Sequence, residues 1–379
     1  MYAEPESGYY FSGGATMKTW PLPSLTLQEA IDRQFALVDA ITRHFCGSDF
    51  LSAGDRGLVP GIGRPRATAQ AEAVLADFFG AEDAVLVRGA GTGSIRSALA
   101  AAFHSGDSVF IHTSPIYPTT KVTFEIMNLL TAEADFNDIA SAAAAYKESG
   151  AAGALVQLAR QKPDDSYDYT RLIPALKEAF PGKPLVTDDN YAAMKVPKLG
   201  CQAGADLSCF SLFKLLGPEG IGCVVGKRVY VEKIRASHYS GGVQVQGTEA
   251  MEALRSLVYT PVALSIQARV CDEVADRLCR GEVKGVKDAF VVNAQSRVII
   301  VELEKANAPE VIEKAESFGA APYPVGSESR YEITPLFYKV SGTFIKSDPS
   351  LASRMIRINP MRAGPGTILG ILRRSMGEE

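Results

Sequence analysis

Lys214 lies in the run S-C-F-S-L-F-K-L-L-G with apolar residues on both sides: Phe210, Leu212 and Phe213 before it, Leu215 and Leu216 after it. Two short apolar runs, 207–210 and 221–225, flank it and read as buried strands. Between such strands a lysine loses solvation, which disfavours its charged form. The neutral amine is a nucleophile that can form a Schiff base with a carbonyl. A second chemical feature is the turn 89–94, Gly-Ala-Gly-Thr-Gly-Ser, set between a strand at 84–88 and a helix at 95–103. Backbone N–H groups and the helix dipole at such a junction favour an anion, so the turn reads as a phosphate cradle. The rival reading is a dinucleotide fingerprint, G-x-G-x-x-G. Its third glycine is replaced by Ser94, and the candidate ribose acid, Asp107, follows a helix and a glycine rather than a strand.

Four further features complete the chemistry. A strand at 185–187 runs into Asp188-Asp189-Asn190-Tyr191, with Asp188 26 residues before Lys214. Tyr117 follows the strand 109–111 in the segment S-P-I-Y-P-T-T. Ser211 stands three residues before Lys214, as S-x-x-K. Arg357 and Arg362 lie in the C-terminal run I-R-I-N-P-M-R. Together these segments resemble the pyridoxal-phosphate (PLP) enzymes of the aspartate-aminotransferase fold. The lysine segment is most like that of the selenocysteine-synthase-like group, and the Gly106-Asp107…Tyr117 spacing is similar to that of the methionine-gamma-lyase-like aluminium-resistance group.

The resemblance covers residues 50–260 well and the C-terminal part weakly. It implies that Lys214 carries PLP as a Schiff base and moves the substrate's alpha proton. It implies that Gly91, Thr92, Gly93 and Ser211 bind the cofactor phosphate, and that Tyr117 stacks on its ring, with His112 as the alternative. By the same resemblance Asp188 is expected to hold the ring nitrogen protonated, which makes the ring a better electron sink; Asp189 competes for that place. The resemblance also implies that Arg357 grips the substrate carboxylate with its two-pronged fork, Arg362 being the alternative. The loop 51–66, rich in glycine and carrying Arg56, Arg64 and Arg66, is either a surface loop or the segment that in relatives crosses to the partner subunit's phosphate. The fold usually works as a dimer, so a homodimer or higher homo-oligomer is expected. One departure counts against a transfer-RNA substrate. The selenocysteine synthases have glycine and serine after their acid, where this chain has Asp-Asn-Tyr, and the chain is acidic.

Composition narrows the remaining classes. The 379 residues carry a net charge of −4, with 46% hydrophobic residues and a mean hydropathy of +0.03. No long block of basic residues is present, which argues against nucleic acid. No apolar run reaches the length of a membrane span, and the N-terminus lacks the pattern of a signal peptide. Six cysteines form no C-x-x-C pair and four histidines are scattered, so no metal is expected. These features fit a reducing cytoplasm.

The elements that must position the site alternate between strand and helix. Such alternation predicts an α/β fold: a three-layer large domain with a mostly parallel sheet, and a smaller α+β C-terminal domain. Thr26-x-x-Glu29 is a capping box that opens an N-terminal helix. The expected organisation is an arm and helix over 1–48, a cofactor domain over 49–250, and a connecting helix with the small domain over 251–379. The connecting helix, 250–280, is expected to break near Thr260-Pro261, and strands are expected at 297–303, 331–340 and 355–358. The function that follows is a PLP enzyme acting on an amino acid or amine, by elimination or by beta or gamma replacement. The alternatives are an aminotransferase and a PLP-fold protein that binds without catalysis.

Overall fold

The computed structural model describes residues 19–114, 116–160, 162, 164–294, 296–326, 328–340 and 349–378. Most of the expected N-terminal arm, residues 1–18, lies outside the described residues.

Seven strands form the larger sheet: β1 (Asp83–Arg88), β2 (Ser108–His112), β3 (Leu130–Ala134), β4 (Gly153–Gln157), β5 (Leu185–Asp188), β6 (Leu207–Ser211) and β7 (Ile221–Gly226). Their order is β1-β7-β6-β5-β4-β2-β3, and β7 alone runs against the rest. The carboxyl ends of β1, β2, β4, β5 and β6 therefore share one edge, where a doubly wound sheet binds its ligand. The central strands β5 and β6 are buried along their whole length, as helices on both faces require. Four antiparallel strands form the second sheet, in the order β10-β11-β9-β8: β8 (Val286–Ala294), β9 (Ser296–Leu303), β10 (Leu336–Lys339) and β11 (Met355–Asn359).

The helix Gly247–Cys279 joins the two sheets. Its first half, from Ala250 to Leu264, packs into the core beneath β6 and β7; its second half, from Val270 to Leu278, packs into the core of the second sheet. It runs unbroken through Pro261, where a break was expected. A proline inside a helix removes one backbone hydrogen bond. Here the burial of Leu257, Pro261 and Leu264 outweighs that loss, and Thr260 Oγ1 ties the turn by donating to the carbonyls of Ser256 (2.9 Å) and Leu215 (2.8 Å).

The capping box at Thr26 and Glu29 forms as expected. The helix it opens, Leu27–His44, buries Ala30, Leu37, Ala40 and Ile41 but leaves Phe35 60% and Val38 40% exposed. The expected strand 331–340 is confined to Leu336–Lys339. Val325, Gly326 and Ser329 instead gather around Glu332, whose carboxylate accepts the amides of Val325 and Gly326 at 2.6 Å and of Ser329 at 2.8 Å. Among the described residues no helix is long and apolar enough to cross a membrane.

Candidate active site

At the shared carboxyl edge of the large sheet a cavity of about 230 Å³ opens, lined by Gly91, Thr92, Tyr117, Asp188, Ser211 and Lys214 among others. They arrive from four strand ends, those of β1, β2, β5 and β6. After β1 the chain turns through Gly89, whose φ of +93° is left-handed and suits glycine. The amides of Gly89 and Ala90 donate to the Gly220 carbonyl at 2.8 and 3.0 Å. The helix Ala90–Ala102 starts at once, so Gly91 and Thr92 sit in its first turn, where N–H groups have no intrahelical partner. Gly93 contributes differently. Its amide donates to Gly89 O at 2.8 Å, and a Cβ there would lie 1.9 Å from the Arg88 carbonyl oxygen, so only glycine fits. It does not line the cavity.

Asp188 ends β5 and is 6% exposed. Burial raises its pKa; the two hydrogen bonds from Asn190 and the nearby Lys214 oppose that rise. Asn190 donates to Asp188 Oδ1 from its backbone at 3.0 Å and from Nδ2 at 2.8 Å, and its Oδ1 accepts the Ser211 amide at 3.0 Å. One asparagine thus couples β5, β6 and, by contact with Gly91, the helix start. Asp189 points elsewhere. It is fully buried, accepts from the Gly200 amide at 2.8 Å, from Ser208 Oγ at 3.2 Å and from Thr187 Oγ1, and burial pushes its pKa up to about 7. It does not line the cavity.

Lys214 follows β6 in a short 3-10 turn, Phe213–Leu215, which closes with Leu216 at a φ of +62°. Ser211 Oγ accepts the Lys214 amide at 3.4 Å. Burial lowers the lysine's pKa, while Asp188, Tyr117 and Glu328 hold it up. Its Nζ lies 5.9 Å from the Tyr117 ring centroid and 3.7 Å from that of Tyr191. Tyr117 is the residue before the helix Pro118–Met127. His112, the alternative stacker, is turned away: Nδ1 accepts the Phe136 amide at 3.0 Å and Nε2 bonds Asp165 at 2.9 Å.

The two arginines stand apart from the cavity lining. Arg357 is 5% exposed on β11, its guanidinium 4.7 Å from the Tyr338 ring centroid. Arg362 donates to Gln267 Oε1 at 3.0 Å and to the Ala263 carbonyl at 3.5 Å, and burial lowers its pKa.

Asn190, Tyr191, Gln157 and Gly326 are among the lining residues to which the sequence alone assigned no role. The signal for Asn190 was present in the D-D-N-Y run, since asparagine readily bonds a neighbour two residues away. Tyr191 takes a φ of +64°, rare for a bulky residue and typical of functional sites.

The comparisons with known proteins meet at these residues. The family model described as Aminotransferase class-V matches residues 171–258, which contain Asp188 and Lys214. The model described as YhfS-like, C-terminal domain matches residues 272–372, which contain both arginines. The protein YhfS of Escherichia coli (strain K12) is 51% identical over 360 residues, which span 95% of this chain and 99% of that one. The chain belongs to the YhfS-like family.

The crystal structure of the pyridoxal-5'-phosphate dependent protein YhfS from Escherichia coli matches the YhfS-like fold described above with a TM-score of 0.94 over 95% of this chain and 99% of that one. The architecture reaches further. The cystathione gamma lyase CalE6 of Micromonospora echinospora matches with a TM-score of 0.69 at 16% identity, over 91% of this chain and 99% of that one. A carbon-sulfur lyase involved in aluminum resistance from Clostridium novyi NT matches with a TM-score of 0.67 at 15% identity, over 92% and 91%. What these distant proteins share with the YhfS-like chain is fold type I of the PLP enzymes.

Proposed function

We propose that this protein is a PLP-dependent enzyme of amino-acid chemistry that eliminates or replaces a group at the beta or gamma carbon of its substrate. One observation carries the reading: Gly91, Thr92, Tyr117, Asp188, Ser211 and Lys214 line a single cavity at the carboxyl edge of the sheet. The set fits the cofactor part by part. The amides of Gly91 and Thr92 and the hydroxyl of Ser211 suit a phosphate. The Asp188 carboxylate suits a protonated ring nitrogen, and the Tyr117 ring suits a stacked heterocycle. When bound, PLP supplies an electron sink for the carbanion left at the substrate's alpha carbon.

The chain's own residues supply the rest. Lys214 would hold the cofactor through its Nζ. Once a substrate amine took that place, the Nζ, its proton affinity lowered by burial, would be free to take up the alpha proton and to deliver it to the departing group or to the product. The hydrogen bonds of Asn190 and the nearby lysine favour the charged form of Asp188 against the burial that raises its pKa. Arg357, outside the cavity lining and beside the Tyr338 ring, would anchor the substrate carboxylate from the second sheet. Phe213, Val325 and Ile95 make the cavity's apolar wall and exclude water. The lyase architecture of CalE6 and of the Clostridium protein supports elimination or replacement; the Aminotransferase class-V match over Asp188 and Lys214 supports transamination as the second reading. The apolar residues left exposed on two adjoining helices, Phe35 and Tyr259, support a homodimer, in which loop 51–66 would reach the partner's cavity.

The test is Lys214→Ala. Wild-type protein mixed with PLP should develop a visible absorbance band, and borohydride should fix the pyridoxyl group on the peptide that contains Ser211 and Lys214. Lys214→Ala should lose the covalent link while still binding PLP through the phosphate cradle. A pyridoxyl group on Lys195 or Lys227, or none, would sink the reading. Amino acids with sulfur leaving groups, assayed for keto acid, ammonia and thiol, separate elimination from transamination.

A further inference from the structure

A buried ion pair lies beside the cavity without lining it. Lys195 and Glu328 are joined with side chains only 10% and 1% exposed. Lys195 lies seven residues past Asp188. Glu328 lies on the loop 325–332, whose Val325 and Gly326 line the cavity. Polar groups complete the pair. Gln267 Nε2 donates to Glu328 Oε1 at 2.9 Å and to Asn359 Oδ1 at 3.0 Å, and Gln267 Oε1 accepts from Arg362 Nη1 at 3.0 Å. Four chain segments therefore meet at one point, and one of them is the end of β11, two residues beyond Arg357.

The other side of the knot faces Lys214. Lys195 Nζ lies 5.7 Å from the Tyr191 ring centroid, and Lys214 Nζ lies 3.7 Å from the same centroid. Both Tyr191 (φ +64°) and Glu328 (φ +83°) hold left-handed backbones that non-glycine residues adopt only where the surroundings enforce them. The loop bearing Glu328 is tied internally by Glu332, and it presses on the residue before Lys214. A Cβ at Gly326 would lie 2.3 Å from Phe213 Cε1.

We propose that the Lys195–Glu328 pair is a positioning device that pins the cavity loop and the β11 strand of Arg357 to the segment of Asp188, Tyr191 and Lys214. This deepens the function proposed above and rests on it. Which bond of a substrate breaks on PLP depends on how the substrate is oriented, and the carboxylate anchor and the proton-moving lysine sit on different sheets. The pair fastens one to the other and touches no substrate itself.

Three variants test it: Lys195→Met, Glu328→Gln, and the two combined. Each single change strands a buried charge and should lower Tm, whereas the double change removes both charges of the pair, leaves Arg362 the Glu332 carboxylate, and should bring Tm back toward wild type. The first readout needs no cofactor. Hydrogen–deuterium exchange of the apoprotein should be at least ten-fold faster at 325–333 in the double variant, with β5 and β6 unchanged. In the PLP-loaded double variant the share of minor product should rise at least five-fold and KM for the amino acid should increase, with the cofactor's absorbance unchanged. Wild-type exchange at 325–333, or a product ratio that recovers together with Tm, would make the pair a structural element only and overturn the proposal. Wild-type protein that takes up no PLP would instead refute the function, and the exchange data would still judge the pin.

Discussion

Gly91→Ala is a small change whose consequence can be worked out atom by atom. Gly91 takes an ordinary helical backbone, so alanine gains about 0.5–1 kcal/mol of helix propensity there. The new Cβ, however, would lie 2.3 Å from Asn190 Oδ1 and 2.7 Å from Asn190 Nδ2. Asn190 is 8% exposed and fastened at both ends. Moving it breaks the 2.8 Å bond to the Asp188 carboxylate and the 3.0 Å bond from the Ser211 amide. A bond to a charged group contributes about 1.5–3 kcal/mol and a neutral one about 0.5–1.5 kcal/mol. The net loss is therefore about 2 kcal/mol, read as a lower urea midpoint of the apoprotein with unchanged m. Asn190→Ala alone removes the same two bonds, so Gly91→Ala added to it should cost nothing more. That coupling, about 2 kcal/mol in a double-mutant cycle, is the sharp part of the prediction. Full additivity, or a Gly91→Ala protein as stable as wild type, would refute the placement of Asn190 against the helix start.

Three further outcomes follow from the site. Asp188→Asn should keep the Lys214–PLP link yet slow alpha-proton exchange on the order of 1000-fold, the equivalent of about 4 kcal/mol; loss of exchange in Asp189→Asn alone would move the role one residue on. Arg357→Lys keeps the charge but not the fork and should cost about 2–4 kcal/mol in kcat/KM, with the bound cofactor's spectrum unchanged; unaltered kinetics would transfer the anchor to Arg362. Asp189 has a folded pKa of about 7 against an ordinary 3.8, so its contribution to stability is complete below the ordinary value and is lost as pH rises through 7. The Tm difference, Asp189→Asn minus wild type, should therefore grow between about pH 5 and pH 8, and a flat difference across that range would place the neutral form elsewhere.

The candidate site was legible largely because its residues sit where a buried strand stops. An apolar run ending in a polar residue marks a strand's carboxyl end, and Asp188, Ser211 and the Gly89 turn all announce themselves this way. Tyr117 and Lys214 then follow within a few residues of such an end. What local pattern cannot carry is a partnership across sequence. Lys195 and Glu328 are 133 residues apart, and each alone reads as a solvated charge. The same limit hid the role of Gly326, whose partner is the ring of Phe213. The second sheet was harder for another reason. Strand β8 mixes Lys287, Asp288 and Asn293 among its apolar residues, so its period is weak. The stretch 331–333 looks like a strand, but the Glu332 carboxylate draws the amides of Val325, Gly326 and Ser329 to itself.

The reaction type resisted the sequence for a physical reason that the structure makes concrete. Lys214, Asp188 and the turn after β1 lie along one sheet edge and, in the proposed function, would serve any PLP reaction equally. What would distinguish one reaction from another is how the substrate is oriented against Lys214, and in that proposal the orientation would depend on Arg357, which β11 carries in the second sheet. The docking of one sheet on the other is not written in the pattern of any one strand. It depends on the helix Gly247–Cys279, which gives one half to each core, and on a few buried polar contacts made by Gln267, Asn359 and Glu328. Substitutions at those contacts, rather than at Lys214 or Asp188, are where homologous chains of this fold should diverge in the reaction they catalyse.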